Sequence, residues 1–238
     1  MIYLRCEISL SEPLAIPDYE KYDYTREWRN KQIEDLAEKK ILSKWITPGK
    51  ICLELGGGFG RLTSFLEPRF SQIVMVDFSR ANIERASQKL KKTEIIRSEL
   101  HRLPFEDNKF DYIFLIRVIH HLADPLVVLG EIQRVAKEGA TVVISAQNPT
   151  IGRYRHLKTN TLVAIGDCGH QIYLAPLNYY STKNLKETTR LGTGMFENFV
   201  GLKLHRLTFL HSVDVMFAPL WYLKPNIFMR FVVTKRRD

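Results

Sequence analysis

Within the seven residues 54–60 stand Glu54, Gly56, Gly57, Gly58 and Gly60, types and spacings suited to holding a ligand. They follow the apolar run of residues 51–55, which predicts a buried strand, and precede Leu62, Phe65 and Leu66, spaced as on an amphipathic helix. A backbone without side chains beside a helix N-terminus lets a ligand approach closely and offers it N–H donors. Asp77 ends a second apolar run about 20 residues past the glycines, a placement from which a carboxylate can accept hydrogen bonds from both hydroxyls of a ribose. Glu99 and Arg117 close two further runs, and His120 and His121 follow as candidate bases, since neutral imidazole titrates near working pH. An adjacent pair points in different directions, so at most one of the two faces a cleft. Asp124, directly before Pro125, reads as a helix cap rather than an acid.

These residues need elements that end at one edge. Residues 19–46 carry Trp28, Ile33, Leu36, Ala37, Ile41, Leu42 and Trp45 at helical spacing, and Thr47-Pro48-Gly49 stops that helix. Ser79 is placed to cap a helix over 82–92, a third strand spans 93–99, and a fourth spans 110–117. A helix over 125–137, terminated by Glu138-Gly139, leads to a fifth strand over 141–146. Strands alternating with helices predict a parallel sheet covered on both faces, which binds ligands outside the carboxyl ends of its strands. From 148 the pattern changes: 149–180 is an insertion bearing Arg153, Tyr154, Arg155, His156 and Lys158. Ser181 or Thr182 then caps a predicted helix through Leu185 and Leu191, closed by Gly192 and Gly194, and strands are predicted over 202–210 and 227–234. The organisation expected is one domain: a helical cover (1–46), a core (47–148), the insertion (149–180) and a C-terminal helix with strands (181–238).

Composition is ordinary for a globular chain, 45% hydrophobic and 26% charged over 238 residues. The longest apolar stretch, residues 207–223, is interrupted by His211, Asp214 and Pro219 and falls short of the roughly 18 residues that span a bilayer. Arg5, Glu7 and Glu12 occupy the place of a signal peptide's apolar centre, so a cytoplasmic protein is expected. Cys6, Cys52 and Cys168 match no zinc or redox spacing and read as small hydrophobes in a reducing compartment; no metal is implied. The net charge of +9 is concentrated late, with 13 Lys and Arg against 5 Asp and Glu after residue 150 and 22 against 21 before it. Such a potential suits an anionic small molecule, a nucleic acid or an anionic membrane, and charge alone does not choose among them.

The glycines do not fit the G-x-G-x-x-G of a nicotinamide or flavin dinucleotide: counting from Gly56, the third position is Arg61 and the glycine falls at 60. The form is E-L-G-x-G-x-G, and here the sequence resembles the class I S-adenosylmethionine-dependent methyltransferases, closest to the subgroup typified by ubiquinone and menaquinone biosynthesis methyltransferases. The resemblance also rests on Val76-Asp77-Phe78-Ser79, on the segment Leu103-Pro104-Phe105 to Phe110-Asp111, and on His120-His121-Leu122-Ala123-Asp124-Pro125. It implies a Rossmann-like doubly wound, mostly parallel seven-stranded sheet with helices on both faces and an antiparallel last strand. It implies further that Glu54, Gly56, Gly57, Gly58 and Gly60 wrap the methionine moiety of S-adenosyl-L-methionine, that Asp77 binds the ribose with Phe78 beside it, that Glu99 and Leu100 stand at the adenine, and that Arg117 and Val118 line the sulfonium side. Glu99, Leu100 and Ser98 depart from the family's usual Asp, small apolar residue and Gly. Methyl transfer from a sulfonium is an in-line displacement on an activated carbon, so a base is needed only where the acceptor must lose a proton.

The acceptor would be recognised outside the sheet core. Tyr22 and Tyr24 lie where an N-terminal cover could meet a cleft, Arg153 and Arg155 could grip an anion, and Phe217, Trp221 and Tyr222 could be a lid. A small-molecule acceptor, anionic or aromatic, is preferred; an RNA or protein acceptor is second, and a catalytically silent cofactor-binding regulator third. No added nucleic-acid module is visible, and the oligomeric state is not legible.

Overall fold

The computed structural model describes residues 23–29, 31–122, 124–148, 161–165, 170–174, 176–193, 210–220, 222, 224 and 226–234. In chain order the elements are α1 (Tyr24–Trp28), α2 (Gln32–Ser43), β1 (Ile51–Leu55), α3 (Thr63–Leu66), β2 (Gln72–Asp77), α4 (Arg80–Ser87), β3 (Glu94–Arg97), β4 (Phe110–Leu115), α5 (Pro125–Val135), β5 (Ala136–Gln147), β6 (Thr161–Ile165), β7 (His170–Leu174), β8 (Leu185–Thr193), α6 (Leu210–Met216) and β9 (Asn226–Val233). Seven strands form one sheet in the order β3-β2-β1-β4-β5-β9-β8. β3, β2, β1, β4 and β5 pair in parallel, and β9 runs antiparallel to both β5 and β8. The Rossmann-like doubly wound arrangement expected, with its antiparallel last strand, is the one observed.

Period-two alternation sorts the sheet's side chains to two faces. Leu53 and Leu55, Ile113 and Leu115, and Val142 and Ile144 pack on one side with Val128, Leu129, Ile132 and Val135 of α5. Cys52, Tyr112, Phe114 and Val143 pack on the other with Ala37, Ile41 and Leu42 of α2 and Val215 of α6. Strand order reverses between β1 and β4, so a crevice opens above their carboxyl ends. Arg134 of α5 fixes the loop that leads into β4, donating from Nη2 to the Leu103 carbonyl at 3.0 Å and from Nη1 to the Phe105 carbonyl at 2.7 Å.

The largest departure from the sequence expectation is the segment after Thr182. The predicted helix through Leu185 and Leu191 is strand β8, paired with β9 along its length. Leu185 and Leu191 pack on opposite faces, because a bulge between Glu187 and Thr189 shifts the alternation by one residue. The cap-like Ser181 and Thr182 start no helix; Thr188 and Thr189 suit a strand, and β9 supplies the hydrogen bonds. The single N-terminal helix expected is two, α1 closing at the C-cap Arg29 and α2 opening at the N-cap Lys31. α4 stops at Ser87 and α5 at Val135, where the chain passes at once into β5, and Gly139 (φ 74°) lies in the register shift between Ala136 and Thr141 instead of ending the helix. Within the insertion β6 and β7 form an antiparallel hairpin. Residues 202–209 of a predicted strand lie outside the described residues, and Leu210 opens α6. Among the described residues no helix is long and apolar enough to cross a membrane.

Candidate functional site

β1 delivers the chain to the sheet's carboxyl edge, and three glycines turn it there. Gly56, Gly58 and Gly60 adopt φ of 69°, 57° and 78°, a left-handed backbone that L side chains rarely take. The Gly56 and Gly57 N–H groups donate to the Val76 carbonyl at 2.7 and 3.2 Å, which ties the loop to β2. A Cβ at Gly56 would stand 2.4 Å from Val118 Cγ2 and one at Gly57 2.3 Å from Met75 Cγ, whereas one at Gly58 would meet nothing within 4 Å. The loop is thus packed tightly underneath and open at Gly58.

Asp77 closes β2 beneath that opening. Its Oδ2 accepts from Gly58 N–H at 2.7 Å and its Oδ1 from Ser79 N–H at 2.9 Å. Burial raises its pKa above the usual carboxylate value, and the N–H donors pull it partly back. Ser79 caps α4 as expected, its hydroxyl accepting from Asn82 N–H at 3.2 Å. Phe78 is exposed next to Asp77, with the Arg97 guanidinium 5.7 Å from its ring centre. β3 ends at Arg97, so Glu99 lies two residues beyond it, exposed, while the Ser98 N–H still pairs with the Asp77 carbonyl at 3.1 Å. Leu100 turns into the core with Leu103 and Phe105.

Glu54 sits one residue before the end of β1 on the face shared with α2. It is 3% exposed, and its Oε2 has no hydrogen-bond partner. Burial pushes its carboxyl up to about 7, against the opposing pull of the Thr63 hydroxyl and the Arg61 charge.

Beyond β4, Arg117 takes φ 60°, a conformation rare outside glycine and common at functional sites. Its N–H donates to Ser145 Oγ on β5 at 2.7 Å, and its Nε meets Glu38 Oε1 at 2.5 Å. The other Glu38 oxygen holds Arg61 Nη2 at 2.8 Å, and Arg61 Nη1 reaches Asp35 at 2.5 Å. Trp28 of α1 lies over both cations, 3.6 Å from the Arg61 guanidinium carbon and 4.9 Å from that of Arg117. α1 and α2 are therefore latched to the end of β4 and to the glycine loop. The sequence reading placed Trp28 only in an apolar stripe and missed Glu38; the available signal for the latter was that Glu34 and Glu38 stand four apart in line with the buried Leu42, on the apolar side of α2.

His120 and His121 share a 3-10 turn, their rings 4.3 Å apart. His120 is buried, its Nδ1 has no partner, and burial, followed by the His121 and Arg117 charges, holds it neutral well below the ordinary imidazole value. His121 is half-buried. The backbone of β7 packs against this turn, so the insertion hairpin borders the site. Asp124 occupies the N-cap of α5 without a capping hydrogen bond from its side chain. Tyr24 opens α1, whereas Tyr22, Arg153 and Arg155 lie outside the described residues.

Residues 53–144 match the model of a methyltransferase domain family. A demethylmenaquinone methyltransferase of Staphylococcus aureus is 26% identical over 143 residues, a match that covers 57% of this chain and 56% of that protein. The chain thus spans about half the length of that curated relative. The crystal structure of an S-adenosylmethionine-dependent methyltransferase from Mesorhizobium loti superposes with a TM-score of 0.63 at 14% identity, covering 84% of this chain and 99% of that one. The cyclase SpnF superposes at 0.56 and 14% identity, covering 92% and 85%, so this fold by itself does not dictate one reaction. The glycine turn at 56–60 and the acid ending β2 lie together at one carboxyl-edge crevice inside the matched segment, and over residues 53–144 the chain is similar to S-adenosylmethionine-dependent methyltransferases.

Proposed function

We propose that the chain transfers a methyl group from S-adenosylmethionine to a small-molecule acceptor, anionic or aromatic, with S-adenosylhomocysteine as the second product. The observation that carries this is the pairing of an open, left-handed Gly58 with a buried Asp77 carboxylate 2.7 Å from its N–H. When bound, the cofactor supplies a methyl carbon already activated by a sulfonium, so the protein's work is alignment and exclusion of water.

The residues fit that cofactor. Gly56, Gly57, Gly58 and Gly60 offer close backbone approach, and the unpartnered Glu54 Oε2 is a buried acceptor ready for a cationic group. Asp77 takes the ribose with Phe78 beside it, Glu99 and Leu100 border the adenine, and Val118 walls the methyl side. Arg117 acts differently from what the family resemblance implies: its guanidinium is turned to Glu38, so its role is to hold the cover. Where the acceptor must lose a proton, one of His120 and His121 serves as the base, His120 being kept neutral by burial.

Titration calorimetry with S-adenosylhomocysteine tests the reading. Wild type is expected to bind at micromolar levels, and Asp77→Ala to bind about tenfold to a hundredfold more weakly, the cost of charge-assisted hydrogen bonds. No binding, or equal binding by the variant, refutes it. Salt-sensitive binding to bulk tRNA that disappears when Arg153 and Arg155 are neutralised would move the acceptor to RNA.

A further inference from the structure

The glycine turn at 56–60 is enclosed by a ring of contacts that leaves it and returns to it. Arg61 continues directly from Gly60, and its Nη2 meets Glu38 Oε2 at 2.8 Å. Glu38, fully buried on α2, meets Arg117 Nε with its other oxygen at 2.5 Å. Arg117 passes at once into Val118, and Val118 closes the ring, because its Cγ2 lies 2.4 Å from where a Cβ at Gly56 would stand. Glu38 thus joins the exit of the glycine turn to the end of β4.

The strained member of the ring is Arg117. Its φ of 60° is unfavourable for any residue with a Cβ and persists only where the surroundings over-determine it. Here the backbone N–H is held by Ser145 Oγ at 2.7 Å and the side chain by Glu38. A relaxation of the Arg117 backbone would swing the residue that follows. Val118 carries two contacts of the site: its side chain packs under Gly56, and its carbonyl accepts from the His121 N–H at 2.8 Å. Arg61 is held by Asp35 as well, at 2.5 Å, so that arm stays attached when Glu38 is removed.

We propose that Glu38 is a positioning residue for the cofactor site: by holding the Arg117 side chain it keeps Arg117 left-handed and Val118 against Gly56, so that the glycine turn keeps the shape that receives S-adenosylmethionine. The inference rests on the methyltransferase reading above. Glu38 acts through Arg117 and need not touch the cofactor. A carboxylate suits the task, since it accepts from two guanidiniums at once, one on each oxygen, and refers the turn and the strand end to a single buried group. With Glu38 buried and Arg117 only 17% exposed, the pair is little screened by solvent. A glycine at 117 would take the same backbone conformation without that support.

Titration calorimetry with S-adenosylhomocysteine, well below the melting transition of each variant, tests this. Glu38→Ala should bind about tenfold more weakly than wild type, the scale of the backbone strain that Glu38 holds at Arg117. Arg117→Gly removes the need for that support, so in its background Glu38→Ala should change affinity by less than about twofold, and the double variant should bind more tightly than Glu38→Ala alone. A latch that only stabilises would lower the melting temperature of Glu38→Ala and leave its affinity at the wild-type value. Should Glu38→Ala not fold, Glu38→Gln, which keeps the length without the charge, takes its place in the same cycle. Wild-type affinity in the folded Glu38 variant, or an equal loss in both backgrounds, would overturn the positioning role alone. No binding by wild type would overturn the cofactor reading and this role together.

Discussion

The floor of the crevice and the cover above it treat buried charge in opposite ways. On the floor, Glu54 is 3% exposed with one oxygen unpartnered, and Gly58 faces open space. In the cover, Glu38 is fully buried and each of its oxygens holds an arginine, at 2.5 and 2.8 Å. A buried carboxylate without partners costs stability, whereas one held by two guanidiniums keeps its surroundings in place. The floor is under-bonded, and the helices above it are saturated.

The sharpest way to break this contrast is Glu38→Ala. It leaves the Arg61 and Arg117 guanidiniums, only 14% and 17% exposed, facing each other without the shared carboxylate. The expected cost is about 3 to 5 kcal/mol, near the lower figure because Asp35 retains Arg61, and the melting temperature should fall by roughly 10 °C. Urea unfolding and calorimetry measure both. A cost below about 1 kcal/mol would show that the latch adds little beyond a surface pair.

How far each region could be read in advance follows from how local its determinants are. The strands through β5, the glycine turn, the Ser79 cap and Asp77 at the end of β2 were legible because each is written in neighbouring residues: an apolar run, a breaker, a cap. β8 was not, because Leu185–Thr193 is a strand by virtue of β9, and Thr188 meets Arg230 across 42 residues. The ion pairs that tie down α2 were illegible for the same reason. Glu38 finds Arg61 and Arg117 at separations of 23 and 79 residues, and only its position in the apolar stripe of α2 hinted at burial. That the Arg117 charge is paired with Glu38 was equally hidden, since the two stand 79 residues apart.

Glu54→Gln sharpens the contrast from the other side, because it should stabilise. Burial lifts the Glu54 carboxyl from 4.5 to about 7, so the folded chain holds that proton more tightly than the unfolded chain does. The contribution of Glu54 to stability therefore declines as pH rises from 4.5 to about 7 and then levels off, a decline that the difference between wild type and variant isolates. The glutamine variant lacks that decline and should exceed wild type by about 3 kcal/mol above neutrality, with no gain in acid. S-adenosylhomocysteine binding should strengthen in wild type as pH rises through about 7, and both the affinity and its pH dependence should drop in the variant. A variant no more stable than wild type at high pH would mean that the floor is not under-bonded.

The smallest effect expected is that of Trp28→Ala, and it asks whether the cover is a unit of its own. α1 is five residues long, too short to be stable alone, and is capped by Asp23 accepting from Thr25 N–H at 3.0 Å. What holds it down is the Trp28 ring over Arg61 and Arg117. Cation–π contacts of this partly exposed kind contribute about 1 kcal/mol, so the melting temperature should fall by only about 2 to 4 °C. Hydrogen exchange should separate the regions: amides of α1 and the first turn of α2 should lose protection, while those of β1 and β4 keep theirs. Equal loss in the central strands would show that cover and floor unfold together, and the division of labour between Glu38 and Glu54 would then describe one cooperative core with two local environments.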